Sequence, residues 1–350
     1  MSVIHRALLL LALIPTAATA EEVAVLLPQT GPAAKAGMAV RDGLLAAYYQ
    51  SGGAENASLA LNFRDSGAMV QVSPALDMLL TPSTRLLIGP LLREHVVEVL
   101  ASPPSVPVLA LNRINGQDVP GIWQFALSPE EEMPPLIAQL QRDGISRVRI
   151  LLQADESGER IRLAFENAWK AAGGQLLPAF TIKSSEDGGI SASLRELLAD
   201  SGTARTQAFF LASPGLAVQV IPLLGFYQKT PVPVYSTSLA FDEIAPLLLR
   251  RDLNGLRFCG TPWTLENRWP EQSVINAVTP PESGSYNRLY AFGADAWTLQ
   301  SLLPVRKAVS TALRTGLINL DSAGLHRIPA CMEIQDGNPR PIAPDRRSSR

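Results

Sequence analysis

Short apolar runs alternate with amphipathic stripes along this chain, and the first pair sets the pattern. Residues 23–27 form a continuous apolar run that ends at Pro28, which is typical of a strand covered on both faces in a parallel sheet. After a loop at residues 29–37, apolar residues recur at helical spacing as Val40 and Leu44, so one helix face would pack on the sheet. The chain therefore begins as an α/β unit.

The same alternation continues through the first third of the chain. Strands are predicted at residues 58–63, 85–88 and 107–111, with amphipathic helices between them. Strand–helix units in this order predict a parallel sheet. Residues 123–127 then lead to Ser128, which can cap the next helix, and we predict the first crossing between two lobes at this point.

The second half repeats the strand–helix alternation and then changes to one long helix followed by short strands. Strands are predicted at residues 147–152, 176–182, 207–211, 232–235 and 256–259, with helices between the first four. One stripe of a last long helix carries Leu289, Phe292, Ala296 and Trp297, and this helix is predicted to return to the first lobe. Short strands are predicted at residues 316–320, 324–328 and 332–334.

These elements predict an α/β fold with two Rossmann-like lobes, each a parallel sheet flanked by helices. The 350 residues exceed the roughly 250 to 300 that one hydrophobic core accommodates. We expect an N-lobe at residues 21–127, completed by about 282–315, and a C-lobe at residues 128–281, to which 316–342 could also belong. The polar tail at residues 343–350 is predicted to be disordered.

A cleavable export signal is predicted at residues 1–20. His5 and Arg6 precede an apolar run at residues 7–14, and Ala18-Thr19-Ala20 matches a cleavage site. Because that run is shorter than the roughly 20 residues that span a bilayer, we expect an exported protein without a membrane span, located in the periplasm.

The two cysteines, Cys259 and Cys331, lie late in the chain. Lipid attachment after export would need a cysteine directly behind the signal, so no lipid anchor is expected. In an oxidising compartment the two can pair, but their number does not show whether they are close. Two alternatives stay open: a disulfide, or two separate buried thiols.

Known catalytic and metal-binding motifs are missing. The sequence contains no G-x-S-x-G, S-x-x-K, P-loop or G-x-G-x-x-G pattern. Behind the signal only His95 and His326 remain, too few for a His-rich zinc site, and His95 is predicted to be a surface helix residue. With a net charge of −2 and no basic stripe, nucleic-acid binding is not expected. We predict no catalytic residues, no metal and no cofactor.

Polar residues follow the predicted strands, where an open α/β sheet places its ligands. The cleft candidates are Gln29, Thr30, Ser66, Asn112, Ser128, Gln153, Asp155, Ser213, Ser236 and Thr237. Each is also a residue type that turns and helix N-caps favour. The set therefore allows two interpretations, a ligand cleft or ordinary turns.

Two further features have alternative interpretations. Trp263 and Trp269 could anchor a partner or stack on a ligand, or they could pack against the last helix. The acidic run at residues 130–132 is interpreted as a helix N-terminus whose charges complement the helix dipole.

Segments spread over residues 22–342 resemble the penicillin-binding protein activator family (LpoA/LppC type), which has the type 1 periplasmic binding protein fold. They are VAVLLPQTGPAAKAGMAVRDGLLAAYY, LLIGPLLREHV, PVLALNR, WQFALSPEEE, DLNGLRFCGTPW, LYAFGADAWTL and GLINLDSAGLHRIPACMEIQDGNPRPI. The RFCGTPW and LYAFGADAW stretches are the more specific ones. The sequence lacks the lipid-bearing cysteine of that family and the N-terminal helical repeat domain of its longer members.

The resemblance implies a leucine-binding-protein-like domain that contacts a bifunctional penicillin-binding protein, a peptidoglycan synthase, and stimulates its transpeptidase without catalysis of its own. Our first hypothesis is thus a non-catalytic regulator of cell-wall biogenesis. The alternative is a solute-binding protein that captures an amino acid, a peptide or a muropeptide between its lobes. Amino-acid binders of this fold present small hydroxyl residues where this chain has Gly89-Pro90-Leu91-Leu92 and Leu111-Asn112-Arg113, which disfavours a free amino acid in that cleft.

Overall fold

The computed structural model describes residues 21–53, 59–114, 116–183, 189–200, 205–266, 268–273, 284–303, 308–322 and 324–342. The predicted export signal at residues 1–20 and the predicted disordered tail at residues 343–350 lie outside these ranges. Within the ranges, no helix has both the length and the apolarity required to cross a bilayer.

The first third of the chain forms a five-stranded parallel sheet with helices on it. Its strands are β1 (Glu21–Leu27), β2 (Leu59–Asp65), β3 (Thr84–Ile88), β4 (Val108–Ala110) and β5 (Ile122–Gln124), and its helices are α1 (Ala34–Gln50), α2 (Ser73–Leu79) and α3 (Arg93–Ala101). The strand order is β2-β1-β3-β4-β5. Strand β1 lies between β2 and β3 and is buried, as its continuous apolar run predicts.

A second set of alternating elements follows. Its helices are α4 (Pro129–Arg142), α5 (Glu156–Ala171), α6 (Gly189–Ala199), α7 (Ala217–Tyr227), α8 (Leu247–Arg251) and α9 (Pro262–Leu265). Its strands are β6 (Arg147–Leu152), β7 (Gln175–Thr181), β8 (Ala208–Leu211), β9 (Val234–Ser236) and β10 (Leu256–Gly260), all mutually parallel. The predicted α/β architecture of parallel sheets flanked by helices is confirmed.

The last part of the chain packs on the first sheet and adds strands to the second. Its elements are α10 (Gly284–Gln300), β11 (Val309–Ala312), β12 (Leu317–Asp321), β13 (Gly324–Ile328), β14 (Ala330–Gln335) and β15 (Asn338–Pro341). Strands β14 and β15 extend the second sheet in antiparallel fashion, giving the order β15-β14-β10-β9-β8-β6-β7. Strands β11 to β13 form a separate antiparallel sheet whose Ile318, Leu320 and Leu325 belong to the hydrophobic core of the first sheet.

Residues 316–342 are therefore divided at Pro329: β12 and β13 before it pack on the first sheet, and β14 and β15 after it join the second sheet. The sequence pattern, by contrast, allowed all of them to belong to the C-lobe. We propose a division into an N-lobe of residues 21–127 with 284–328 and a C-lobe of residues 128–265 with 330–342. The chain passes between the lobes near Ser128, through the segment behind β10, and at Pro329.

Helix α10 packs against α1, and two glycines set how closely they approach. A Cβ atom on Gly43 would lie 1.8 Å from the carbonyl oxygen of Tyr290, and one on Gly293 would lie 1.8 Å from that of Val40. Since neither position has room for a side chain, the two backbones touch. Phe292 then stacks on Phe125 with ring centroids 4.4 Å apart, which ties α10 into the core of the first sheet.

Cys259 of β10 and Cys331 of β14 are cross-strand neighbours and form a disulfide with an S–S distance of 2.05 Å. Of the two alternatives that the sequence left open, the structure contains the bridged one. The disulfide fastens β14 to the second sheet two residues beyond the crossing at Pro329.

Candidate functional site

The candidates behind β1 and β2 hold each other rather than pointing freely outward. The Asp65 carboxylate accepts hydrogen bonds from the main-chain N–H of Gln29 (2.7 Å) and from the Thr30 hydroxyl (2.7 Å). The side-chain oxygen of Gln29 accepts a hydrogen bond from Arg41 (3.2 Å). Desolvation alone would raise the pKa of Asp65, but the hydrogen bonds from Thr30, Gly67 and Gln29 hold that pKa below its usual value. Gln29 and Thr30 therefore brace two loops of the N-lobe.

The corresponding candidates in the C-lobe also serve local structure. The Ser213 hydroxyl accepts a hydrogen bond from the main-chain N–H of Gln153 (2.8 Å). The Asp155 side chain caps α5 by accepting from an amide of its first turn (2.7 Å). The buried Ser236 hydroxyl donates to a main-chain carbonyl at the end of β8 (2.7 Å).

The four remaining candidates differ from one another. Asn112 donates to the Leu91 carbonyl (3.1 Å) and so secures the loop behind β4. Ser128 stands at the N-cap position of α4, but its side chain makes no capping hydrogen bond. The hydroxyls of Ser66 and Thr237 are buried and lack a hydrogen-bond partner within the described residues. Of the ten candidates, only Ser66 and Thr237 retain such buried, unpartnered hydroxyls.

A groove of about 900 Å³ runs along α4 where the chain crosses between the lobes, and we call it the hinge groove. Its apolar lining consists of Pro134, Pro135, Ala138, Ile328, Pro329 and Ile342. Its polar lining includes Arg113, Glu130, Glu131, Arg142 and His326, and Ser128 is the one cleft candidate that reaches it. Ile328 is 41 % exposed although it is a large apolar side chain, so the groove presents hydrophobic surface to solvent.

Three of the residues that line the groove, Arg113, Glu131 and Arg327, form an ion-pair cluster. Glu131 of α4 accepts from Arg113 (3.0 Å) and from Arg327 (3.3 Å), which come from the loop behind β4 and from β13. The Arg327 side chain is 1 % exposed and also donates to the carbonyls of Ala126 (3.1 Å) and Thr315 (3.1 Å). Three chain segments are thus held by one guanidinium.

The sequence did not reveal this cluster. Arg113 directly follows the candidate Asn112, so its position behind a strand was a usable signal, whereas nothing in the pattern around Arg327 marks it as buried. The interpretation of residues 130–132 as simple dipole charges is too narrow, since each has its own partner. Glu130 pairs with Arg160 (3.2 Å), Glu131 joins the cluster, and Glu132 accepts from the Ser238 amide (2.8 Å) and hydroxyl.

Glu132 is a buried carboxyl with a displaced pKa. Desolvation raises the pKa of Glu132 to about 7, and the hydrogen bonds from Ser238 and the charge of Arg327 offset only part of that effect. The folded state therefore holds the Glu132 proton more tightly than the unfolded chain does. The resulting stabilisation is complete below the unfolded pKa of 4.5 and is lost as the pH rises through about 7.

We expect Glu132→Gln to remove this pH dependence, because glutamine keeps the hydrogen bonds with Ser238 without a charge. The difference in unfolding free energy between wild type and variant should change by about 2 kcal/mol between about pH 5 and about pH 8, with the variant gaining as the pH rises. Urea unfolding at both pH values measures it. Asp295, whose pKa burial raises to about 6, titrates in both proteins and cancels. Parallel pH curves for the two proteins would contradict this prediction.

The tryptophans pack inside the protein. Trp263 is 1 % exposed and stacks on Tyr290 of α10 with centroids 5.7 Å apart, and Trp269 lies 5.5 Å from Trp263. Arg268 covers the Trp269 ring at 4.6 Å. Of the alternatives given for these residues, the structure places them in packing against the last helix.

The two histidines behind the signal lie in different surroundings. The prediction that His95 is a surface residue is wrong: it is 1 % exposed, and its Nε2 lies 3.0 Å from the Met69 carbonyl oxygen, because α3 turns this residue under the loop behind β2. His326 is exposed at the hinge groove. Across the described ranges, no group of three or more His, Cys, Asp or Glu side chains could hold a metal ion.

Comparisons with known proteins extend these observations. The family model described as "LppC putative lipoprotein" matches residues 7–325. The penicillin-binding protein activator LpoA of Haemophilus influenzae is 26% identical over 274 residues, which covers 73% of this chain and 45% of that relative. The chain thus spans less than half the length of that curated relative.

Two solved structures show the same fold. The LpoA C-domain from Haemophilus influenzae, described as a regulator of PBP1A, superimposes with a TM-score of 0.75 at 22% identity, covering 92% of this chain and all of that one. A protein from Chromobacterium violaceum, described as a "putative branched-chain amino acid ABC transporter", gives a TM-score of 0.70 at 24% identity and covers 89% and 99% of the two chains. The predicted type 1 periplasmic binding protein fold is confirmed.

Proposed function

The chain belongs to the LppC family, and from that premise we propose that it is a non-catalytic periplasmic domain that regulates a peptidoglycan synthase by protein contact. The observation that carries the proposal is the family match over residues 7–325, which includes most of both proposed lobes. The relatives named penicillin-binding protein activators support a bifunctional penicillin-binding protein as the partner. The predicted signal at residues 1–20 supports delivery to the periplasm.

The use of the strand-end residues supports contact rather than solute capture. The side chains of seven of the ten candidates serve as a brace, a cap, a hydrogen bond to the main chain or lining of the hinge groove, which leaves few polar groups for a ligand between the lobes. The hinge groove has the composition of a protein interface, since both apolar side chains and arginines line it. We propose this groove as the surface that the synthase contacts.

The proposal predicts that Ile328→Asp weakens binding of the synthase about tenfold or more, because it places a charge on the exposed apolar lining. Purified domain and the periplasmic region of a bifunctional penicillin-binding protein are mixed and the dissociation constant is measured. A transpeptidase assay with the same pair measures stimulation. The matched control is Leu163→Asp on α5, another exposed leucine-sized side chain away from the groove, which should leave binding unchanged.

Two results would contradict the proposal. If no bifunctional penicillin-binding protein of the host binds the wild-type domain, the regulatory role fails. If the synthase binds but Ile328→Asp and Leu163→Asp behave alike, the role stands and the hinge groove is not the contact surface.

A second function, solute capture between the lobes, is favoured by one observation. The buried hydroxyls of Ser66 and Thr237, one behind a strand of each sheet, make no hydrogen bond within the described residues. Buried polar atoms are rarely left unpaired, so a ligand or water would satisfy them. A thermal-shift screen with peptides and muropeptides tests this, and a shift that disappears in Thr237→Val would support it.

A further inference from the structure

A second cavity, of about 360 Å³, lies beside the segment that leads from β10 to α10, and we call it the crossover pocket. Its polar lining includes Glu243, Arg250 and Gln272, and its apolar lining consists of Phe241, Leu265 and Pro339. None of these residues is among the ten strand-end candidates. Its volume falls within the range of small-molecule sites.

The pocket collects buried polar atoms that have no hydrogen-bond partner. Within the described residues, Glu243 Oε2, Arg250 Nε and Gln272 Oε1 are all buried and unpartnered, and all three side chains line this cavity. Protein interiors pair the great majority of such atoms, and each exception costs about 1 to 3 kcal/mol. With three exceptions around one cavity, a group outside the described residues is needed to complete their hydrogen bonds, and a bound molecule would supply it.

Two of the three side chains are already fixed in orientation. The other oxygen of Glu243 accepts from Asn287 Nδ2 of α10 (2.9 Å), and Gln272 Nε2 donates to the Trp263 carbonyl (2.6 Å). One end of each group is thus bound to the protein, and the other end makes no hydrogen bond within the described residues. Such half-used groups are preorganised, because a ligand would not have to order them on binding.

The available atoms specify the chemistry of the occupant. Glu243 Oε2 and Gln272 Oε1 are acceptors and need an N–H donor, whereas Arg250 Nε is a donor and needs an acceptor. An ammonium group offers three donors, and a carboxylate is the acceptor that suits a guanidinium. An occupant with both groups would carry no net charge, and it would place an opposite charge beside each of the half-buried Glu243 and Arg250 side chains.

We propose that the crossover pocket binds a free α-amino acid, with its ammonium on Glu243 and Gln272, its carboxylate on Arg250, and its side chain against Phe241, Leu265 and Pro339. Burial, the largest influence, raises the pKa of Glu243, and the ligand ammonium would favour the ionised form. This site is separate from the hinge groove and does not depend on the regulatory function.

The test is calorimetric titration of the purified domain with glycine, L-alanine, L-leucine, L-lysine and L-glutamate. We expect at least one to bind, and its N-acetyl and its amide derivatives to bind about tenfold or more weakly, since each lacks one charged hydrogen-bonding group. Glu243→Gln and Arg250→Met should each reduce the affinity for that amino acid by a similar factor. Circular dichroism of both variants checks that they fold.

The controls locate the site. Arg251→Gln changes the exposed neighbour of Arg250 on α8 and should leave affinity unchanged, as should Thr237→Val behind β9.

Binding that is lost in Thr237→Val but kept in Arg250→Met would place the ligand between the lobes and overturn the proposal. Absence of binding by any of the five amino acids would mean that water alone fills the pocket, and equal binding of the derivatives would refute the zwitterion. No synthase enters the assay, so its result is independent of the proposed regulatory function.

Discussion

Replacing Cys259 and Cys331 together by alanine should lower the free energy of unfolding by about 4 kcal/mol, through the entropy of the unfolded chain. The disulfide closes a loop of 72 residues in sequence, and opening that loop lets the denatured ensemble expand. Since the bridge joins neighbouring strands of one sheet, β10 and β14 still pair by their hydrogen bonds in the double variant. The variant should therefore fold and be less stable.

Urea unfolding of wild type and double variant, each with and without a thiol reductant, measures the effect. Reductant should lower the stability of the wild type toward that of the variant and leave the variant unchanged, which makes the variant its own control. A double variant within about 1 kcal/mol of the oxidised wild type would show that the unfolded chain is already compact in this region.

The second large effect is expected at Arg327. Arg327→Met should cost about 3 to 5 kcal/mol of unfolding free energy, because it leaves the Glu131 carboxylate poorly compensated and two carbonyl oxygens without their donor. Arg160→Ala breaks the more exposed ion pair with Glu130, the neighbour of Glu131 on α4, and should cost no more than about 1 kcal/mol of unfolding free energy. Equilibrium unfolding of the three proteins compares them directly.

The cause of the Arg327 effect can be separated from loss of packing. Adding Glu131→Gln to Arg327→Met removes the carboxylate that has kept only Arg113 as a partner, so the double variant should be more stable than Arg327→Met alone. If the second substitution lowers stability further, the cost at Arg327 comes from packing and from the two carbonyls. Packing and hydrogen bonds of Arg327, rather than its charge, would then be the main stabilising contribution of the cluster.

The spacing of apolar residues predicted the helices and strands well, because this spacing depends on residues that are close together in sequence. The apolar run at residues 23–27 is the interior of β1, and the stripe with Phe292 and Trp297 lies on α10, which packs where it was expected. Small boundary differences, such as β4 at Val108–Ala110 against a predicted strand at 107–111, change nothing in the topology.

Long-range partners were not visible in the same way. Arg327 meets Glu131 across 196 positions in sequence, and Glu132 meets Ser238 across 106, so no spacing rule connects them. His95 follows the polar Glu94 on an amphipathic helix, and only the loop behind β2 that folds over it makes it a buried residue. Ser, Thr and Asp behind strands were recognisable as a class, but the pattern could not tell braces and caps from ligand contacts.

The order in which the chain contributes to its sheets has a consequence for synthesis. The N-lobe core needs α10, which lies beyond residue 283, and the second sheet acquires β14 and β15 only with residues 330–341. A ribosome that has released the first 250 residues has therefore completed neither core. Both halves are completed only by residues 284–341, so a chain that stops before them should expose apolar surface that chaperones and proteases recognise.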